Sequence, residues 1–186
     1  MFRLLGWLIL KIWGWKLAGD DPGKKHKKLI YVVLPHTSNW DFLLGISTKW
    51  YLRMKIKWLG KDALFRRLYG WFFRALDGIP VVRNKNLKLV DNIVETFNQE
   101  EELRIVIPAE GTRGPVDRIK TGFFYISQKA NVPICFMKIR ADIKTLEFTD
   151  IIEMTGDLDK DMVIVHNYFK DGVGIIPENG YLWNKD

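Results

Sequence analysis

Residues 29–42, "LIYVVLPHTSNWDF", join an apolar run to a polar cluster, and this junction decides how the rest of the chain is interpreted. The run is aliphatic and aromatic and rich in β-branched residues, which is typical of a strand buried on both faces. The polar cluster contains His36, one of only three histidines in the chain, five residues ahead of Asp41. A helix is predicted from about residue 39, with Thr37 or Ser38 as its N-cap. The stretch therefore predicts a strand, a loop that carries His36, and a helix.

The same alternation of apolar runs and amphipathic segments continues along the chain. The predicted elements are a strand at 29–34, a helix at 39–51, a strand at 56–60, a helix at 64–77, a strand at 79–83, a helix at 87–99, a strand at 103–108, a helix at 121–130 and strands at 133–139 and 144–148. Residues 157–172 are ambiguous, because "MVIV" favours a strand, whereas acidic residues before it and Gly172 after it favour a helix. Alternating strands and helices predict an α/β layered fold with a largely parallel sheet flanked by helices.

Composition and length are those of one globular domain. The chain has 186 residues, of which 47% are hydrophobic and 27% charged, and this excludes disorder. No repeat or low-complexity linker divides it, so residues 29–186 are predicted to form a single domain preceded by a distinct segment at 1–28. Cys135, the only cysteine, lies in a predicted strand and is interpreted as a core residue in a reducing compartment.

The net charge of +7 is concentrated in the first half of the chain. Residues 1–90 hold 18 Lys and Arg against 5 Asp and Glu, whereas residues 91–186 hold 11 against 17. A basic half that is also rich in aromatic residues indicates an anionic partner. Nucleic acid, an anionic lipid surface and an acidic protein all satisfy that requirement.

The N-terminal segment favours the lipid surface. In "MFRLLGWLILKIWGWKLAG" (1–19) the apolar run at 4–10 is far shorter than the roughly 20 residues that span a bilayer, and it lacks a clear signal-peptide cleavage site. An interfacial helix is predicted instead, anchored by Trp7, Trp13 and Trp15. The lysines of "GKKHKK" (23–28) would add attraction to an anionic leaflet. We expect a peripheral or monotopic protein on the cytoplasmic face of the cell membrane, and an ordinary packing helix is the alternative.

The histidine loop has the composition of a general-base site. Across a loop-to-helix junction the carboxylate of Asp41 can fold back onto the His36 imidazole, fix its tautomer and make the far nitrogen a better base. A helix-capping histidine beside a surface aspartate is the alternative at this spacing.

Three other segments carry groups suited to an anion. "EGTRG" (110–114) follows a strand and offers backbone amides beside an arginine, as a phosphate cradle or simply a turn. "GIPVVR" (78–83) ends a strand with Arg83, which either reaches the same anion or caps the sheet edge. Lys120 precedes a helix whose N-terminus favours negative charge.

With these blocks the chain resembles the glycerolipid acyltransferases typified by lysophosphatidic acid acyltransferase, and in particular a compact bacterial branch. The resemblance runs from about residue 29 to 139 and consists of "HTSNWD" (36–41), "GIPVVR", "EGTR" and "VPI" (132–134), in that order. The chain departs from the family pattern at Ala109, which separates Pro108 from the glutamate, and in being short at both ends.

The resemblance implies a direct acyl transfer. By this resemblance His36 is the general base and Asp41 orients it. The residues expected to bind the substrate are Arg83, Glu110, Gly111, Thr112 and Arg113, and Lys120 is added to them because of its position before a helix. The donor is acyl-CoA or acyl-carrier protein, and the acceptor is a lysophospholipid, with lysophosphatidic acid, other lysophospholipids and lyso-aminolipids all open. No cofactor is implied, and no metal, because His26, His36 and His166 are scattered.

Two rival functions belong to other classes. A basic nucleic-acid-binding protein explains the charge but not His36, Asp41 or Glu110, and nucleic acid is therefore not expected as a partner. A non-catalytic scaffold on the membrane surface would retain its function without His36.

Overall fold

A computed structural model describes residues 2–66, 68–81 and 86–181. The helices are α1 (Phe2–Trp13), α2 (Trp40–Leu52), α3 (Asp62–Arg66), α4 (Gly70–Ala75), α5 (Asn86–Gln99), α6 (Gly122–Ala130) and α7 (Leu158–Phe169). The strands are β1 (Lys16–Ala18), β2 (Lys28–Leu34), β3 (Lys57–Lys61), β4 (Gly78–Val81), β5 (Leu103–Pro108), β6 (Ile134–Arg140) and β7 (Thr145–Phe148). The strand and helix order follows the sequence prediction closely, and residues 157–172 contain a helix, capped by Asp157.

The strands form one seven-stranded sheet in the order β1-β7-β6-β2-β5-β3-β4. Strands β6, β2, β5, β3 and β4 run parallel to one another, whereas β7 pairs antiparallel with β6 and parallel with β1. The predicted α/β fold with a largely parallel sheet is confirmed. Because β2 and β5 are adjacent and parallel, the loops after Leu34 and Pro108 leave the sheet side by side.

Helices cover both faces of the sheet. Alternate residues of β2 point to opposite sides: Ile30 and Val32 pack with α5, α6 and α7, and Leu29 and Tyr31 pack with α1, α2 and β7. The short helices α3 and α4 lie on the α2 face, since Trp58 of β3 contacts Phe42 of α2 and also the rings of Phe65 and Phe73.

The N-terminal segment is integrated into this architecture. Strand β1 pairs with β7 at the sheet edge, and Leu10 and Trp15 are buried in the core. The predicted anchoring role of Trp15 is therefore wrong, because its ring is only 7% exposed and faces protein. Trp7 is exposed, and Trp13 is half-buried against Trp15 and Trp40.

The predicted helix at 64–77 is two short helices instead of one. Gly70 begins α4 so close to α3 that an added Cβ would lie 2.2 Å from the Phe65 carbonyl oxygen. Glycine therefore allows the chain to turn and lets the second helix pack back onto the first.

Candidate active site

The predicted contact between His36 and Asp41 is present. His36 Nδ1 lies 3.1 Å from Asp41 Oδ2, and the two side chains are 15% and 3% exposed. The same carboxylate oxygen accepts hydrogen bonds from the backbone N–H groups of Thr37 (2.6 Å) and Ser38 (2.8 Å). Asp41 sits in the first turn of α2, where the helix dipole also favours a negative charge. This arrangement holds the imidazole from its Nδ1 side and leaves Nε2 as the nitrogen that can accept a proton.

The expected N-cap is replaced by a tighter loop. Neither Thr37 nor Ser38 occupies the N-cap position, which is Asn39, although the Ser38 hydroxyl accepts a hydrogen bond from the Trp40 N–H (3.2 Å). The loop is closed chiefly by Asp41 reaching back to it.

Glu110 lies beneath the histidine loop. It is fully buried, and its carboxylate accepts hydrogen bonds from the backbone N–H groups of His36 and, at 3.2 Å, Tyr181. Burial raises the pKa of Glu110 to about 7, although these two hydrogen bonds favour the charged form and lower it. The direct contact with the acceptor that the resemblance implies stays a prediction, and the geometry gives Glu110 a second role, which is to fix the backbone of His36.

The rest of the "EGTRG" turn borders a cavity. Gly111 has a φ of +70°, which favours glycine, and the Lys120 ammonium packs against it, 2.5 Å from where a Cβ would lie. Thr112 and Arg113 are exposed at the cavity wall, and the backbone of Lys120 donates to the Ala109 carbonyl at 2.8 Å. Arg113 and the 111–114 turn therefore border the same cavity as His36, and the Lys120 side chain packs against that turn, whereas Arg83 lies outside the described residues.

This cavity extends from the histidine loop into the protein interior and has a volume of about 460 Å³. It lies between α2 and the sheet, with His36, Asp41 and the 111–114 turn at its polar end. Its deeper wall is apolar and is formed by Leu44, Met54, Ile56, Val106, Met137, Ile139 and Leu146. Such a volume and lining suit a hydrocarbon chain whose polar end stays beside His36. Hydrophobic patterning in the sequence carries no signal for a space between these residues.

A C-terminal strap, residues 173–181, also holds the histidine loop, and no sequence pattern predicted this contact. The Thr37 hydroxyl accepts a hydrogen bond from the Ile176 N–H at 3.1 Å, and the Asn179 amide donates to the Thr37 carbonyl at 3.2 Å. Gly174 packs directly on the Thr37 side chain. About 140 residues separate Thr37 from these partners, so no local sequence motif predicts the contacts.

No group of three or more His, Cys, Asp and Glu side chains in the described part of the chain is arranged to hold a metal ion. Cys135 is buried as predicted, and burial raises the pKa of its thiol to about 12, so it is a poor nucleophile.

A partly buried histidine paired with a buried carboxylate at the polar end of an apolar cavity is an arrangement suited to proton removal beside a hydrocarbon chain. The chain belongs to the acyltransferase family, whose sequence profile matches residues 16–140. Its fold is similar to that of the 1-acyl-sn-glycerophosphate (LPA) acyltransferase PlsC from Thermotoga maritima, with a TM-score of 0.58 and 16% identity over 88% of this chain and 75% of that one. No curated protein sequence matches this chain at a significant level.

Membership of the acyltransferase family confirms the predicted enzyme class. Among the described helices, none has the length and apolar character needed to cross a bilayer.

Proposed function

We propose that this acyltransferase moves a fatty acyl group from a thioester, acyl-CoA or acyl-carrier protein, to a hydroxyl of a lysophospholipid-type acceptor, with lysophosphatidic acid as the first candidate. The observation that carries the proposal is the His36–Asp41 pair at the polar end of an apolar cavity. It unites the two requirements of the reaction, which are a base for the hydroxyl and a binding site for the chain.

The geometry supports a direct transfer. With Nδ1 held by Asp41, Nε2 of His36 takes the proton of the acceptor hydroxyl, and the oxygen attacks the thioester carbonyl. A carbon–oxygen bond forms, the tetrahedral intermediate collapses, and the carbon–sulfur bond breaks. His36 then returns its proton to the departing thiolate. General-base assistance of this kind contributes about 10²–10⁴-fold to the rate.

Charge near the cavity supports an anionic acceptor. Arg113 belongs to the Gly111 turn and Lys120 packs against it, and a phosphate bound at this turn would meet two cations and backbone N–H groups. The fold similarity to an LPA acyltransferase agrees with this choice. An acyl chain in the apolar part of the cavity would gain about 0.8 kcal/mol for each buried methylene.

Exposed apolar residues on α1 support a position at the membrane surface. Leu4, Leu8 and Ile12 follow one another at four-residue intervals and are 67%, 43% and 78% exposed. A stripe of this kind is typical of an interfacial helix. The lysines of residues 23–28 lie before β2 or, for Lys28, at its first position, whereas His36 follows the last residue of the strand. They are therefore at the opposite end of β2 from His36, and we assign the anchor to α1.

An acceptor panel tests the proposal. The detergent-solubilised protein is supplied with radiolabelled acyl-CoA or acyl-carrier protein and with lysophosphatidate, lysophosphatidylethanolamine, lysophosphatidylglycerol or glycerol 3-phosphate. We expect a diacyl product from lysophosphatidate that is absent with His36→Ala. A folded protein that acylates none of the acceptors from either donor would overturn the proposal.

A further inference from the structure

A second group of exposed apolar residues lies away from α1, on helices α3 and α4 and the turn between them. We call it the α3–α4 patch; it consists of Leu64, Leu68, Tyr69, Trp71 and Phe72, which are 38%, 83%, 65%, 69% and 44% exposed. Three of the five are aromatic. A soluble surface rarely leaves large apolar side chains grouped in this way unless something covers them.

The patch is built on a rigid base. Phe65 is buried and its ring packs against Trp58 and Phe73, with centroids 5.8 Å and 6.2 Å away. The Trp58 indole N–H donates to the Leu76 carbonyl at 2.9 Å, and Arg74 donates to the Phe65 carbonyl at 3.2 Å. The two helices therefore already have an aromatic core of their own. Of the patch residues, Phe72 contacts the edge of this core through Phe73, with ring centroids 5.6 Å apart, and it is still 44% exposed.

The surroundings of the patch are basic. Residues 61–76 contain four Lys and Arg and one Asp, and the single acid, Asp62, pairs with Arg66. Arg66 and Arg74 are exposed beside the apolar residues. Aromatic and leucine side chains interleaved with arginine suit the headgroup region of an anionic bilayer, where the rings enter the boundary and the cations meet phosphates.

The position of the patch connects it with the reaction. Helices α3 and α4 lie on the same face of the sheet as α1 and α2, and Leu64 and Lys61 belong to the wall of the cavity that His36 borders. A lipid that leaves a bilayer next to the patch would therefore be adjacent to the cavity.

We propose that the α3–α4 patch is a second membrane-contacting surface, which together with α1 seats the cavity opening on an anionic bilayer. The proposal rests on the proposed function, since it takes the acceptor to be a membrane lipid. Two separated contacts would fix the orientation of the protein on the surface, which one helix alone does not do.

Vesicle binding of the full chain tests this. Leu68→Ser/Trp71→Ser removes the two most exposed residues of the patch, and Val163→Ser/Ile164→Ser removes two exposed apolar residues of α7, on the opposite face of the sheet, as the matched control. Partitioning is measured by flotation with phosphatidylglycerol and with phosphatidylcholine vesicles. We expect the patch variant to bind phosphatidylglycerol vesicles roughly ten-fold or more weakly, and the control to stay within about two-fold of the unmodified protein.

Further measurements separate this inference from the proposed function. Turnover of detergent-dispersed lysophosphatidate should be the same in the patch variant and the unmodified protein, because neither residue belongs to the catalytic site. A protein that transfers no acyl group yet loses vesicle binding in the patch variant would defeat the proposed function and leave the membrane contact standing. Unchanged vesicle binding of the patch variant would overturn the inference. So would equal losses in both variants, or a change from dimer to monomer in light scattering, which would identify the patch as a contact between two copies.

Discussion

Three contacts fix the loop that carries His36: one on its imidazole, one on its backbone N–H and one on the neighbouring Thr37. Asp41 fixes the imidazole through Nδ1, Glu110 accepts the His36 backbone N–H, and the neighbouring Thr37 is bound by the C-terminal strap. In its proposed role as the base, His36 would need little rearrangement to reach a substrate hydroxyl, because its backbone and ring are both fixed.

The first prediction concerns this pair. His36→Ala should lower kcat by about 10²–10⁴-fold because the general base is lost. Asp41→Asn should lower kcat by nearly as much, because the tautomer of His36 is no longer fixed. Turnover of lysophosphatidate at saturating donor measures both effects. His166→Ala, which alters an exposed histidine of α7, is the control and should retain full turnover. Undiminished turnover in a folded His36→Ala protein would disprove the mechanism.

Glu110 gives a prediction about stability and pH. Its pKa is raised from an ordinary 4.5 to about 7, so between these values the folded protein retains a proton that the unfolded chain has released. The carboxyl group therefore makes the folded state less stable as the pH rises from 4.5 to 7, by up to about 3 kcal/mol, with no further change above 7. In Glu110→Gln this contribution is absent.

As the pH rises from 4.5 to 7, the unmodified protein should thus lose unfolding free energy relative to Glu110→Gln. Urea unfolding at half-unit pH steps measures it. Glu178→Gln, an exposed glutamate of the C-terminal strap, is the control and should give a constant difference. A constant difference for Glu110→Gln as well would show that the carboxyl keeps an ordinary pKa in the folded protein.

Arg113 is predicted to act on the acceptor and not on the donor. Removal of a charge-assisted contact with phosphate should raise the KM for lysophosphatidate roughly ten-fold, while the KM for the thioester changes little. Arg118→Ala, which removes an exposed arginine from the same loop, is the matched comparison. An effect confined to the donor KM would assign Arg113 to the thioester.

The sequence predicted the His36–Asp41 contact because five residues across a loop and a helix start bring the two side chains together. It could not show the position of Glu110 under the loop, because the same "EGTR" letters fit an exposed carboxylate and a buried one. The contacts of Thr37 with Asn179 and Ile176 depend on the path of the whole chain. The sequence therefore predicted the contact between residues close in the chain and not the contacts between distant ones.

At the scale of elements, periodicity identified the long strands and helices well and failed where elements are short. The residues of β1 were assigned to an N-terminal anchor, since three residues carry no recognisable alternation, and only their pairing with β7 makes them a strand. The helical pattern of 64–77 continued without interruption, whereas in the structure α3 ends at Arg66 and α4 begins at Gly70, which packs against the Phe65 carbonyl. Tertiary contacts overrode the local pattern in both places.

The C-terminal strap provides an element-scale prediction. A Cβ at Gly174 would lie 2.4 Å from Thr37 Cγ2, so Gly174→Ala should push the histidine loop out of position and lower kcat roughly ten-fold, with a stability loss of about 1–3 kcal/mol. Thermal unfolding and turnover are measured together. Gly122→Ala adds the same methyl group in open space at the start of α6, 3.9 Å from its nearest neighbour, and should change neither. Normal turnover in Gly174→Ala would show that the strap does not position His36.

The two faces of the sheet differ in what covers them. Helices α5, α6 and α7 close one face of the sheet over a continuous core. On the other face, α2, β3 and Leu64 of α3 line the cavity, and α1 and the α3–α4 patch carry two groups of exposed apolar residues. The basic first half of the chain supplies α1 to α4, and this explains why charge and aromatic content in the sequence both pointed to an anionic surface. The sequence could not show that these residues also form the core, as Leu10 and Trp15 do.

The burial of Leu10 and Trp15 determines how the proposed membrane anchor must be tested. Deletion of residues 1–18 would remove β1, Leu10 and Trp15 from the sheet and its core, and the protein would be expected to unfold. Leu4→Ser/Leu8→Ser/Ile12→Ser instead changes only the exposed stripe and leaves Gly6 packed against α2.

We expect the α1 variant to lose binding to phosphatidylglycerol vesicles and most of its activity on lysophosphatidate embedded in them, because an apolar contribution of several buried side chains is removed. Activity on detergent-dispersed acceptor should be retained, since His36 and Asp41 are untouched. Flotation at low and high salt separates the two forces: apolar insertion persists at high salt, whereas attraction by lysine and arginine is screened. An α1 variant that floats like the unmodified protein would refute the anchor. Complete release of the unmodified protein by salt would show that the binding is electrostatic and that α1 does not insert.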